Sequence, residues 1–208
     1  MTGAWPFCKI LMNLAVQMHD AGAFSQPLPC RRWGEDRMVS YVALLRAVNV
    51  GGTGKLPMTE LKAMCATEGF GKVRTYIASG NVVFSSDRPV LEVKRVLEKR
   101  LEDHAGKPVG VILRTAKEMA DVLNANPFPD APPSGTVAIF LDTPPPADTP
   151  ETMKHMQDEE VRLGKREIYV AYGAAGMGRS KLAIPADADG TARNMNTIAK
   201  LAELAAPI

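Results

Sequence analysis

The chain has 208 residues, 46% of them hydrophobic, and carries 25 basic against 23 acidic residues for a net charge of +2. That length and apolar content suffice for one compact unit or two small ones with real cores. The charge balance is not that of a strongly basic nucleic-acid binder, 6% aromatics argue against an extensive base-stacking surface, and no apolar run is long enough to span a bilayer.

Residues 1–37 differ from the rest. They hold Trp5-Pro6, Pro27-Leu28-Pro29 and Arg31-Arg32-Trp33, without a sustained helix or strand period. Lys9 precedes an apolar stretch, Ile10 to Val16, but Asn13 and Gln17 interrupt the signal-peptide pattern that this suggests. The expectation is a disordered leader or a mis-called start, with Met38 as the natural beginning of the fold. The three cysteines, Cys8, Cys30 and Cys65, have no paired spacing; an odd count fits a reducing, cytoplasmic setting.

From Met38 the elements follow in a regular order. Val39 to Val48 reads as a central strand, nearly all apolar. Asn49 to Leu56 is a glycine-rich loop. Pro57 suits a helix start and Gly69 its stop, with Leu61, Met64 and Cys65 at helical spacing. Val73 to Ser79 and Val82 to Ser85 are strands joined by a Gly80-Asn81 turn. Pro89 opens a second helix whose apolar face is Val93, Val96, Leu97 and Leu101, and Gly106 ends it. Val109 to Leu113 closes a β-α-β-β-α-β unit, the ferredoxin-like order, over residues 38–114.

Residues 115–208 form a less regular α+β half. Thr115 begins a helix through Leu123, and Thr136 to Leu141 is a strand. Pro150 to Leu163 reads as a polar helix, Glu167 to Tyr172 as a strand, and Lys181 to Ile184 as a short strand. Thr191 is placed as the cap of a last helix with Met195, Ile198, Leu201 and Ala205 on its apolar side.

Gly51-Gly52-Thr53-Gly54-Lys55 invites comparison with a phosphate loop. That motif requires a glycine where Asn49 stands and a hydroxyl where Leu56 stands, so it is excluded. A weaker reading remains. The first two strands run in the same direction, so their ends share one rim of the sheet. Glycine-rich backbone before a helix offers N–H donors there, and Arg46 and Lys55 add charge. The rim set is Arg46, Asn49, Gly51, Gly52, Lys55, Ser79 and Asn81; Lys181, Arg193, Asn194 and Asn196 are grouped with it. A carboxylate, a phosphate or nucleic acid fits such a rim. The competing reading has Asn49, Ser79 and Asn81 only satisfying turn backbone, with Arg193 and its neighbours making a structural contact. His104 and His155 lack a spaced histidine partner, so no metal site is expected. Cys65, on an apolar helix face, reads as inert packing. No cofactor motif is present. Binding of an anionic ligand leads. A metal-free enzyme working by positioning and charge, and a purely structural scaffold, stay open as alternatives.

Three stretches, RAVNVGG (Arg46 to Gly52), TYIASGNVVF (Thr75 to Phe84) and TARNMNTIAKL (Thr191 to Leu201), resemble DUF1697, a bacterial family of unknown function. The resemblance runs from Met38 to the C-terminus. It implies two fused ferredoxin-like halves and assigns no activity. Met195 stands where the family usually has tryptophan, which removes an aromatic stacking surface at that position.

Overall fold

The structure, a computed structural model, describes residues 38–48, 56–173 and 176–206. The expected leader over residues 1–37 and the glycine-rich loop with Asn49, Gly51, Gly52 and Lys55 lie outside the described residues. The architecture is α+β, with two four-stranded antiparallel sheets and flanking helices.

The first sheet contains β1 (Val39–Leu45), β2 (Gly71–Tyr76), β3 (Asn81–Ser86) and β4 (Val111–Thr115), in the spatial order β2-β3-β1-β4. Helix α1 (Met58–Thr67) links β1 to β2, and α2 (Val90–Ala105) links β3 to β4, giving the β-α-β-β-α-β order read from the sequence. Pro57 and Pro89 occupy the N-caps and Gly106 the left-handed C-cap, because proline fixes a compatible φ where no N–H partner exists. Gly69 follows α1 at φ +81°.

Period-two alternation makes β1 central. Tyr41, Ala43 and Leu45 face α1 and α2 with Leu61, Cys65, Phe84, Val93, Leu97 and Leu101. Val42 and Leu44 face the opposite way. Both faces are covered, which is why β1 carries almost no polar residue. It stops at Leu45, three residues short of the expected end, where Arg46 and Ala47 turn the chain and Ala47 takes φ +47°.

The second sheet contains β5 (Thr136–Phe140), β6 (Glu160–Leu163), β7 (Glu167–Ala171) and β8 (Thr191–Asn194), in the order β6-β7-β5-β8. Helix α3 (Ala116–Asn124) follows β4, α4 (Thr149–Thr152) is a single turn after β5, and α5 (Met195–Ala205) follows β8. One face of each sheet shares a core with α3 and α5, built from Val42, Ile112, Met119, Phe140, Ile198 and Leu201 among others. The outer face of the second sheet, Val137, Ile139, Ile168 and Val170, is covered by Met153, Leu182 and Ile184 from irregular chain.

Four further expectations change. The Pro150 to Leu163 helix lasts one turn, and its end is strand β6. That strand is a four-residue edge whose most buried residue, Val161, is only half-buried; its Glu-Val-Arg-Leu alternation is too short to mark a strand. Lys181 to Ile184 holds only an isolated bridge, Ala183 to Lys154, before a 3-10 turn at Pro185–Asp187. The β2–β3 turn is Ile77 to Gly80, and Asn81 is already in β3, opposite Tyr76. Thr191 does not cap the last helix: Thr191–Asn194 is a strand, and Asn194 is the cap, its Oδ1 accepting from Thr197 N–H at 2.9 Å.

A candidate anion site at the Arg193 cluster

The two sheets correspond strand for strand, and their registers fix the correspondence. Val42 pairs with Arg114 and Ala138 pairs with Arg193. Two residues further on, Leu44 pairs with Asn81 and Phe140 pairs with Glu167. Arg114 and Arg193 thus occupy matching positions, as do Asn81 and Glu167. Each arginine stands one residue before a helix N-cap, Thr115 or Asn194.

Each arginine reaches into the other sheet. Arg114 Nη2 donates to the Leu141 and Arg166 carbonyls at 2.7 and 3.1 Å. Its Nε and Nη2 both donate to Glu167 Oε1, at 3.1 and 2.9 Å. Arg193 Nη2 donates to the Leu45 and Ser79 carbonyls at 3.1 and 2.9 Å, and its Nε donates to Asn81 Oδ1 at 2.6 Å. Nη1 donates to Thr191 Oγ1 and the Ala192 carbonyl at 2.7 and 2.8 Å. Leu45 and Leu141 are equivalent acceptors at the ends of β1 and β5; Leu45 N–H donates to Gly80 and Leu141 N–H to Arg166.

The counter-charge separates the two clusters. Arg114 is 1% exposed and is neutralised by Glu167, itself 5% exposed. Arg193 is 8% exposed and the group at the matching position is neutral Asn81. Burial pulls the Arg193 guanidinium down to about 10, so it stays protonated at neutral pH. Desolvation lowers Arg114 as well, while Glu167 pushes back. All five Arg193 N–H donors have acceptors, yet none of these acceptors bears a charge. A buried charge without a partner is costly.

Asn81 is fully buried and fully used: Nδ2 donates to the Tyr76 carbonyl at 3.1 Å and to Ser79 Oγ at 2.9 Å, while Oδ1 receives Arg193. Gly80 makes the approach possible. Its φ is +75°, and a Cβ there would lie 2.9 Å from Leu45 Cβ and 3.4 Å from Val48 Cβ. Arg46, next to Leu45, is half-buried. It donates to the Ala188 carbonyl at 2.6 Å and pairs with Asp189 at 3.2 Å, a carboxylate with 95% of its side chain exposed. Such a pair is weakly held.

Of the residues grouped from the sequence, the structure therefore joins Ser79, Asn81 and Arg193 by hydrogen bonds and sets Arg46 beside the Leu45 carbonyl that Arg193 uses. Asn194 is committed to capping. Asn196 is exposed on the first turn of α5, and Lys181 is exposed and makes none of these bonds. Thr191, read from the sequence as a helix cap, and the Arg114–Glu167 pair were not grouped with this site. The available signal was the repeated Arg-Thr and Arg-Asn, each opening a capped helix, at 114–115 and 193–194.

The conserved bacterial protein SP0830 from Streptococcus pneumoniae has a similar fold, with a TM-score of 0.66, 24% identity, and coverage of 81% of this chain and 99% of that one. A comparison with curated proteins found no match. The family described as protein of unknown function (DUF1697) matches residues 38–169. The chain belongs to that family.

Proposed function

We propose that the protein binds an anionic ligand, phosphate-bearing or carboxylate, at the rim where β1, the β2–β3 turn and β8 meet. The observation that carries this reading is the missing carboxylate: Glu167 neutralises Arg114, while Asn81 leaves Arg193 charged. An anion at the rim supplies the absent charge. Arg193 acts through its field, since its N–H donors are engaged; direct contact falls to Arg46, whose exposed partner Asp189 yields readily. The glycine-rich segment with Lys55 follows Arg46 in the chain and adds donors in this reading. Phosphate and carboxylate ligands are favoured over long single strands, because the described rim residues Arg46, Ser79, Asn81 and Arg193 include no aromatic to stack a base. Saturation of the five Arg193 donors favours a second reading, a purely structural latch between the two sheets.

The experiment separates the two. Inorganic phosphate, and separately a short oligonucleotide, are titrated at low salt while the melting temperature is followed. A ligand that binds only the folded state raises it, and added salt reduces the gain. Asn81→Asp supplies the missing carboxylate and Arg46→Ala removes the direct contact; both are expected to suppress the gain. A melting temperature indifferent to either anion leaves the latch reading.

A further inference from the structure

A second site, distinct from the rim, lies between α3 and the β6–β7 turn. There a cleft of about 500 Å3 opens, within the size range of small-molecule sites. Its floor and walls are largely apolar: Val122, Ala125, Pro127, Leu163 and the ring of Tyr169. The Tyr169 hydroxyl donates to the Val122 carbonyl at 3.0 Å, and Tyr169 is buried, so it backs the cleft without a free hydroxyl. Gly164 lets the turn close over that ring, since a Cβ there would lie 2.8 Å from Tyr169 Cε2.

The charges lining the cleft do not cancel. Glu167 is taken by Arg114. Glu118 Oε1 receives Arg166 Nη2 at 2.5 Å, and its Oε2 receives Thr115 N–H at 2.8 Å. Asp121 is paired with Lys117 at 2.6 Å. Each lining carboxylate thus has its own cation. Lys165, at the tip of the turn, has no ion-pair or hydrogen-bond partner among the described residues. Arg162 lies over the Phe128 ring at 5.8 Å, donates to the Val161 carbonyl at 2.9 Å and has the exposed Glu160 as a loose ion partner at 3.7 Å, which leaves Lys165 as the uncompensated cation. Positive charge is left over at the mouth of an apolar cleft.

The geometry points to a binding site for a small amphipathic monoanion, with its apolar body against Ala125, Pro127 and Leu163 and its anionic group toward Lys165 and Arg162. The ligand class is an aromatic or branched aliphatic acid, because a single uncompensated cation, Lys165, beside apolar walls matches one negative charge rather than a polyphosphate. The rim proposal does not enter this argument.

The test uses 8-anilinonaphthalene-1-sulfonate, which joins an aromatic body to one negative charge. Fluorescence titration of the full chain is expected to show saturable binding at one equivalent. Amide shifts in a 15N spectrum should localise to Val122, Ala125 and Tyr169. Ala125→Trp, at the exposed end of α3, fills the cleft and is expected to abolish the binding. Lys165→Glu should weaken it at least several-fold, with circular dichroism unchanged in both variants. Binding that survives Ala125→Trp, or that is lost in Arg46→Ala instead, overturns the assignment, as does the absence of saturable binding.

Discussion

Glu167→Gln isolates the counter-charge of the buried Arg114. The side chain keeps its size, and Gln Oε1 can still accept from Arg114 Nε and Nη2. Two things are lost. The guanidinium, 1% exposed, loses its neutralising charge. The Arg166 N–H, which donates to Glu167 Oε2 at 3.0 Å, meets an NH2 group in place of an acceptor. Removing one partner of a buried pair typically costs about 3–5 kcal/mol, and retaining the oxygen reduces this to roughly 2–4 kcal/mol. For a chain of this size each kcal/mol moves the melting temperature by about 2–4 °C, so a fall on the order of 10 °C is expected. Urea unfolding at neutral pH checks the free energy directly, with Lys117→Ala, which breaks an exposed pair, as a control costing at most about 0.5 kcal/mol. A loss below about 1 kcal/mol for Glu167→Gln would show that the pair is not holding the two sheets together, and the argument built on its counterpart would fail with it.

Gly80→Ala should destabilise by about 2 kcal/mol or more, because the left-handed backbone disfavours a side chain and the new Cβ meets Leu45; thermal melting measures it. Arg193→Met leaves Asn81 Oδ1 and the Ser79 carbonyl without their donor, and the Leu45 carbonyl with only the Thr191 hydroxyl at 3.4 Å, and should cost at least as much as Glu167→Gln, read by urea unfolding. Burial pushes the Cys65 thiol up to about 12. The folded state therefore holds that proton more tightly than the unfolded chain, where the thiol titrates near 8.5. Its contribution is intact below that pH and is lost as pH rises toward about 12. At pH 8 iodoacetamide should label the Cys65 peptide only after urea unfolding, which peptide mass spectrometry follows.

The first sheet was legible because β1, β3 and β4 are buried on both faces and its helices are punctuated by Pro57, Pro89 and Gly106. The second was harder to read for two physical reasons. Strand β6 is an exposed edge of four residues, so the alternation of Val161 and Leu163 with Glu160 and Arg162 is too short to stand out from a polar helix. Strand β8 buries Thr191 and Arg193 on its inner face, and a polar buried face has the composition of a helix cap. The grouping of Asn81, Ser79 and Arg193 came from motif resemblance and strand direction. The asymmetry that gives the grouping meaning was hidden, since Asn81 and Glu167 become comparable only once the strand registers are aligned.

The central claim is that Arg193 is a buried cation whose counter-charge arrives with a ligand. The most direct measurement is the phosphate-dependent shift in melting temperature at low salt, compared between the natural chain and Asn81→Asp. Asn81 Nδ2 also donates to Tyr76 and Ser79, so the ligand-dependent shift, and not the starting temperature, is the readout. A shift of several degrees in the natural chain that vanishes in Asn81→Asp is the predicted result. An equal shift in both proteins, or none in either, contradicts it.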